Sequence, residues 1–225
     1  MNQVDSAKPT IAKGFTRQDV SRKWTYRHVK RLIDFCLSLF GLILISPLLL
    51  IVAIIIKLGS PGGIFYRWVI VDQEGKPFAS FKFRTMVGNA EQLEAGLRAA
   101  GLNEMKGVYF KLRNDPRVTP IGAFLRKFSL DELPTLISVL TGKMSLVGPR
   151  PIRSLEYEKL DDRGRLRLLV KPGITGPWQI SGKNEISDFD DIVEIDLEYI
   201  ENWSLLLDIQ ILLKTIPCVL AGRNY

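Results

Sequence analysis

The sequence predicts an α+β fold: a small, mostly helical domain with one short β-hairpin, joined to an N-terminal re-entrant membrane helix hairpin and to interfacial helices. Three observations predict it. The 22 residues from Phe35 to Ile56 carry no charge. Two β-branched and aromatic runs flank the turn Asp72-Gln73-Glu74-Gly75-Lys76-Pro77. Most of the remaining chain reads as helix separated by Gly- and Pro-rich breaks.

With 225 residues and 46% hydrophobic content, the chain has ample material for one core. Its formal net charge is +7, unevenly placed. Residues 1–60 hold nine Lys or Arg against Asp5, Asp19 and Asp34, a net of +6. The body is therefore close to neutral, which argues against a nucleic-acid-binding face and for a basic arm beside anionic lipid headgroups. Cys36 and Cys218 lie far apart in apolar surroundings, so no disulfide framework or cysteine metal site is encoded. His28 is the only histidine, which removes a Ser-His-Asp triad and any His-rich metal site. Catalysis, if present, falls to carboxylates, Lys, Arg, Tyr or a carboxylate-bound cation.

In order along the chain, residues 1–20 read as poorly ordered, residues 21–60 as a basic arm and membrane hairpin, and residues 61–225 as a cytosolic, membrane-associated domain. As one straight helix, the run from Phe35 to Ile56 extends roughly 33 Å, enough to cross a hydrocarbon core of about 30 Å. Ser46-Pro47 interrupts it at the middle, where proline deletes a backbone hydrogen bond and serine can bond back to the preceding turn. Six basic residues lie at 15–34 and three at 57–76, which puts the N-terminal flank in the cytoplasm. Length alone favours a spanning helix, which would place everything after Lys57 outside; if the domain uses a cytosolic substrate, only a helix–break–helix that enters and leaves by one face satisfies both demands.

After the linker Gly59-Ser60-Pro61-Gly62-Gly63, strands are expected over Ile64 to Val71 and Phe78 to Met86. The second alternates Phe81 and Phe83 with Lys82 and Arg84, either as a solvated face or as anion ligands. Glu91 to Ala100 reads as a helix ending near Gly101. Tyr109 to Arg113 reads as a short strand or loop. The turn from Asn114 to Pro120 introduces a helix over Ile121 to Phe128 that carries Arg126 and Lys127. Ser129 followed by Glu132 fits a capping box at the start of a further helix closed by Gly142, with Asp131 against the positive end of its dipole. The adjacent acids Asp131 and Glu132 also fit a catalytic pair.

In Gly148-Pro149-Arg150-Pro151 two prolines stiffen the chain around one arginine, suiting it to bidentate phosphate contact or to a plain rigid turn. Leu155 to Val170, with Arg163, Arg165 and Arg167, reads as a charged helix with a solvated or membrane-facing side. Lys171 to Asn184 is a glycine- and proline-rich loop with a short strand. Asp188 to Trp203 is an acidic helix. Ser204 to Ala221 is an apolar segment, broken by Asp208, Lys214 and Pro217, that suits an interface or a place against the domain better than a path across a bilayer.

Taken together, Lys30-Arg31-Leu32-Ile33-Asp34, Ser46-Pro47, Lys82-Phe83-Arg84-Thr85-Met86, Asn114-Asp115-Pro116-Arg117-Val118-Thr119, Leu125 to Pro134, Ser145 to Pro151 and Lys171-Pro172-Gly173-Ile174-Thr175-Gly176 occur in an order and spacing that resemble the bacterial sugar transferase family. These are the monotopic polyprenyl-phosphate phosphoglycosyl transferases. The resemblance covers roughly residues 28–225. It implies transfer of a sugar-1-phosphate, galactose or glucose by the look of the single-domain exopolysaccharide branch, from a UDP-sugar to undecaprenyl phosphate with release of UMP. It implies an enzyme of the bacterial inner membrane whose catalytic domain faces the cytoplasm, with membrane lipid as a partner; a homo-oligomer is compatible with it.

In the roles it implies, Asp131 is the nucleophile and a ligand of Mg²⁺. Glu132 handles a proton or orients the metal. Lys82, Arg84, Arg126, Arg150 and Lys183 bind phosphate. The chain departs from the family at Gly182-Lys183-Asn184, where arginine is usual; lysine keeps the charge and loses the planar fork. Two other readings are a simple glycosyltransferase that releases UDP and a non-catalytic membrane scaffold.

Overall fold

The computed structural model describes residues 23–181 and 186–222; the expectations for residues 1–20 and for Lys183 lie outside the described residues. Its first element, α1 (Trp24–Gly59), is a 36-residue helix. Among the described residues it is the one helix long and apolar enough to cross a membrane. The predicted break is not a gap in this helix but a change of hydrogen bonding within it. Pro47 lacks the N–H that would reach the Ile43 carbonyl one turn back, and the Ser46 hydroxyl donates to that same carbonyl at 2.8 Å.

One stripe of α1 faces the rest of the protein along its whole length. Lys30, Asp34, Ser38, Val52 and Ile56 are buried, and Gly41, Ile45 and Leu49 are half-buried. The i, i+4, i+7 spacing of a single helix face accounts for the stripe. At its start the Lys30 ammonium donates to Asp208 at 2.6 Å, and the Arg31 guanidinium donates to the Val139 and Leu140 carbonyls at 2.6 and 2.7 Å. These two residues, expected to face lipid headgroups, are instead engaged with protein. Asp34 accepts from the Ser145 hydroxyl at 2.8 Å and the Leu146 amide at 3.1 Å. At its other end Val52 and Ile56 pack with Phe83 and Leu125. The opposite faces of α1, including Phe40, Ile43, Leu44 and Leu50, are exposed apolar surface.

The hairpin follows as expected: β1 (Phe65–Val71) pairs antiparallel with β2 (Pro77–Phe83), Trp68 opposite Ser80 and Tyr66 opposite Lys82. The alternation differs from the simple half-buried pattern. Phe81 is exposed, on the face that also carries Phe65 and Val69, while Lys82 and Ser80 point inward. Next come α2 (Ala90–Ala99), ended by Gly101 at φ +71°, and α3 (Pro120–Lys127), capped by Thr119, whose side chain accepts from the Gly122 amide. The segment 109–113 between them is loop.

A 3₁₀ turn (Leu130–Thr135) leads into α4 (Leu136–Leu140). The capping box is not formed. Ser129 has φ 51° and its side chain makes no cap bond; it is the only described residue other than glycine with positive φ. Gly142, at φ +80°, closes α4 as expected.

Beyond α4, β3 (Ser145–Val147) runs parallel to β4 (Gly173–Thr175), a pairing the sequence did not announce. Gly148 and Gly173 allow it, because a Cβ on Gly148 would lie 2.3 Å from the Lys171 carbonyl oxygen and one on Gly173 would lie 2.2 Å from the Gly148 nitrogen.

The single charged helix expected over 155–170 is three short pieces, α5 (Ser154–Tyr157), α6 (Asp162–Arg165) and a 3₁₀ turn (Leu166–Leu169). Arg167 is not on a solvated face; it is fully buried against Asp196. After β4, α7 (Pro177–Ile180) and α8 (Phe189–Glu201) complete the main core, which gathers Val71, Tyr109, Val147, Ile152, Trp178 and Ile192. The last helix, α9 (Leu205–Leu220), is continuous through Asp208, Lys214 and Pro217. Asp208 is buried, accepting from Tyr26, Lys30 and Tyr199. The outward residues Leu206, Ile209, Leu213, Ile216 and Leu220 form an exposed apolar stripe, the amphipathic pattern of a helix at an interface.

Candidate active site

The site lies where the 3₁₀ turn, β2 and the loop after β3 converge on an open cleft, with Trp68, Lys82, Glu132, Thr135, Arg150 and Gln179 in its walls. The Thr135 hydroxyl donates to the Phe81 carbonyl at 3.1 Å, fixing the 3₁₀ turn to the strand that carries Lys82. The Lys82 ammonium donates to Glu132 at 2.6 Å and sits 4.0 Å from the Trp68 ring centroid. Two features thus hold the cation, a carboxylate and an aromatic face.

Asp131 is 9% exposed. Burial, then the negative charge of Glu132, pushes its pKa up to about 6, while Lys82 and Arg126 pull it back. Burial and the neighbouring like charge thus outweigh the favourable helix-start placement expected for this carboxylate. At neutral pH it is ionised, but at a cost, as for a carboxylate tuned for reaction.

Arg126, in the last turn of α3, donates to the Thr85 hydroxyl at 2.9 Å and lies within electrostatic reach of Asp131. Arg150 enters the cleft with its guanidinium 4.3 Å from the Trp178 ring and 5.1 Å from the Tyr109 ring. Lys82, Glu132 and Arg150 thus line one cleft, while Asp131 and Arg126 are not among its lining residues; Asp131 is joined to them through its electrostatic coupling to Glu132, Lys82 and Arg126. Arg84 is placed elsewhere: its guanidinium donates to the Ser60 hydroxyl and carbonyl and to the Pro61 carbonyl, tying down the linker after α1.

Trp68, Thr135 and Gln179 were not singled out from sequence. The parity of β1 and β2, which puts Trp68 on the inward face with Lys82 and Ser80, was the available signal for the first. Nothing comparable marks Gln179, which reaches the cleft only because β4 and α7 fold back onto β3.

For a divalent cation the donors are the hard oxygens of adjacent carboxylates, Asp131 and Glu132, the first with a pKa raised by burial and then by the charge of the second. No group of three or more His, Cys, Asp or Glu among the described residues can hold a metal. That set fits Mg²⁺ only in the manner common for nucleotide enzymes, one or two carboxylates with the remaining ligands from substrate phosphates and water.

Two adjacent carboxylates, with Lys82 and Arg126 beside them, thus lie in a domain packed against one long apolar helix. The family model described as "Bacterial sugar transferase" matches residues 25–222, and the chain belongs to that family. It is 44% identical over 203 residues to the "Galactosyl transferase CpsE" of Streptococcus agalactiae serotype III, covering 90% of this chain and 44% of that protein. It is 42% identical over 198 residues to the "Exopolysaccharide production protein ExoY" of Sinorhizobium fredii, covering 87% of each. It is 42% identical over 197 residues to the "UDP-glucose:undecaprenyl-phosphate glucose-1-phosphate transferase" of Escherichia coli K12, covering 84% of this chain and 40% of that protein. The chain therefore spans less than half the length of the first and third relatives and most of ExoY.

Proposed function

We propose that this chain transfers a hexose-1-phosphate from a UDP-sugar to undecaprenyl phosphate, releasing UMP, as the first membrane step of an exopolysaccharide or other surface glycan. The observation that carries this is the buried Asp131, its pKa raised to about 6, beside Glu132 and within reach of Lys82 and Arg126. The names of the relatives supply the reactants: a UDP-sugar, undecaprenyl phosphate and a transferred sugar-1-phosphate in one, a galactosyl group in another. Glucose and galactose are accordingly the two donors proposed.

In the first half-reaction an Asp131 carboxylate oxygen attacks the sugar-bearing phosphorus. The bond from that phosphorus to the bridging oxygen breaks, and UMP leaves with the electron pair on its own phosphate. Lys82, Arg126 and Arg150 hold the diphosphate and neutralise charge as it moves to the leaving group. In the second half-reaction an oxygen of undecaprenyl phosphate attacks the same phosphorus and regenerates the Asp131 carboxylate, with Glu132 taking any proton the acceptor carries. Mg²⁺, held by Asp131 and Glu132, supplies further neutralisation of the diphosphate when bound.

The membrane arrangement follows the same reading. Both ends of α1 dock on one domain, through Lys30 and Asp34 at its start and Val52 and Ile56 at its end. That supports a re-entrant helix bent at Ser46-Pro47, and a site on the cytoplasmic face of the inner membrane, over a helix that leaves by the other face. The exposed apolar stripe of α9 supports an interfacial contact with lipid.

The test is product identity. Membranes carrying the protein, given UDP-glucose or UDP-galactose with undecaprenyl phosphate, release UMP and form a lipid diphosphate sugar. Release of UDP would instead make it a simple glycosyltransferase, and binding without turnover a scaffold.

A further inference from the structure

Arg167 and Asp196 were not marked by any sequence motif, yet they form the most buried ion pair among the described residues, both side chains 0% exposed. The Arg167 guanidinium divides its hydrogen bonds among three partners. Its Nε donates to Asp196 at 2.7 Å, one terminal nitrogen donates to the Tyr109 hydroxyl at 3.1 Å, and the other donates to the Arg150 carbonyl at 3.1 Å. Burial pushes the Asp196 pKa up, and the Arg167 guanidinium and the backbone of Arg150 pull it part of the way back. Tyr109 is 4% exposed and its ring lies under the Arg150 guanidinium, with Trp178 also against it. The two hydrogen-bond partners of Arg167 outside the pair thus converge on one residue, its carbonyl and the Tyr109 ring on which its side chain rests.

We propose that Arg167 and Asp196 are positioning residues for Arg150, fixing its peptide and its aromatic platform so that the guanidinium meets the donor diphosphate in one orientation. The proposal rests on the reading of Arg150 as a phosphate ligand given above. A planar guanidinium gains from bidentate contact only when its plane is set beforehand, and the flanking Pro149 and Pro151 fix backbone torsions without fixing where the peptide sits. Stability alone does not call for a charged pair at this place, because apolar residues of similar volume commonly replace buried ion pairs at no loss.

The test uses the full chain in detergent or membrane with UDP-glucose and UDP-galactose, reading KM for the donor, kcat and thermal melting together. Replacing the pair as a unit, Arg167→Met with Asp196→Leu, is expected to leave the melting temperature near that of the parent. KM for the donor is expected to rise about tenfold, the loss of roughly one oriented charge-assisted contact, with kcat much less changed. In an Arg150→Ala background the same double replacement is expected to change KM no further. Tyr109→Phe, which keeps the ring and the fold, gives a smaller rise that also vanishes in that background.

Equal effects with and without Arg150 would overturn the proposal, as would an unchanged KM in the Met/Leu enzyme. An Arg150→Ala enzyme with unaltered KM would overturn it too. UMP release by the parent enzyme would in that case leave the reaction class standing, so the two readings fail separately.

Discussion

Two cation–carboxylate pairs, Lys82–Glu132 in the cleft and Arg167–Asp196 in the core, have nearly the same heavy-atom separation, 2.6 and 2.5 Å, and opposite surroundings. The side chains of the first are 21% and 33% exposed, and its ammonium can exchange one anion for another. Those of the second are sealed, and Arg167 is further tied to a phenol and a peptide carbonyl. The difference teaches that distance does not distinguish a working charge from a scaffolding one. Burial and the number of additional partners do, because a sealed pair cannot be broken without leaving an uncompensated charge behind.

Breaking each region at its most critical residue gives the largest contrast. Asp131→Asn is expected to lower UMP release by at least about a thousandfold, as removal of a nucleophile does, while making the protein more stable at pH 7. The sign follows from linkage. The Asp131 pKa is raised from 3.8 unfolded to about 6 folded, so the folded state binds more protons between those values and its stability falls as pH rises through them. The gain on substitution is on the order of 3 kcal/mol at pH 7 and disappears below the unfolded pKa. Thermal melting of both proteins at several pH values checks it.

Next in size is the stability contrast between the pairs. Arg167→Met alone is expected to cost about 3–5 kcal/mol, since it strands a buried Asp196. Lys82→Met is expected to cost under about 1 kcal/mol, as for an exposed pair, and to weaken donor binding instead. Denaturant titration together with donor KM separates the two outcomes.

The smallest effect is a displacement in pH. Turnover is expected to fall below about pH 6 as Asp131 protonates. Lys82→Met removes a charge that holds this pKa down, so it moves the acid limb upward, whereas replacement of Arg167 and Asp196 together leaves the limb in place. The pH dependence of initial rate for the three enzymes measures it.

Much of this organisation was legible in sequence where local chemistry decides. The uncharged run with Ser46-Pro47, the hairpin turn, Gly101 and Gly142 as helix ends, and the Asp131-Glu132 pair are each fixed by residues within a turn of one another. What escaped depended on parts of the chain far apart in number. Arg167 sits among Arg163 and Arg165 and shares their appearance; only the packing of α8, which brings Asp196, removes it from solvent. Lys30 and Asp34 look like a flanking charge cluster until α9 and β3 supply Asp208 and Ser145. Arg84 resembles Lys82 by alternation, but the strand ends at Phe83 and the linker carbonyls at Ser60 and Pro61 capture it. Ser129 fits a capping box by spacing, and a left-handed backbone there defeats the box.

The central claim is that Asp131 is the nucleophile, and capture of its adduct tests it most directly. Incubating the protein with a UDP-hexose labelled at the sugar-bearing phosphate, without acceptor lipid, should place label on the peptide containing Asp131, with UMP released in equal amount. The label should leave as lipid product once undecaprenyl phosphate is added. An unlabelled protein that still turns over when both substrates are present, or label that persists in Asp131→Asn, would contradict the account.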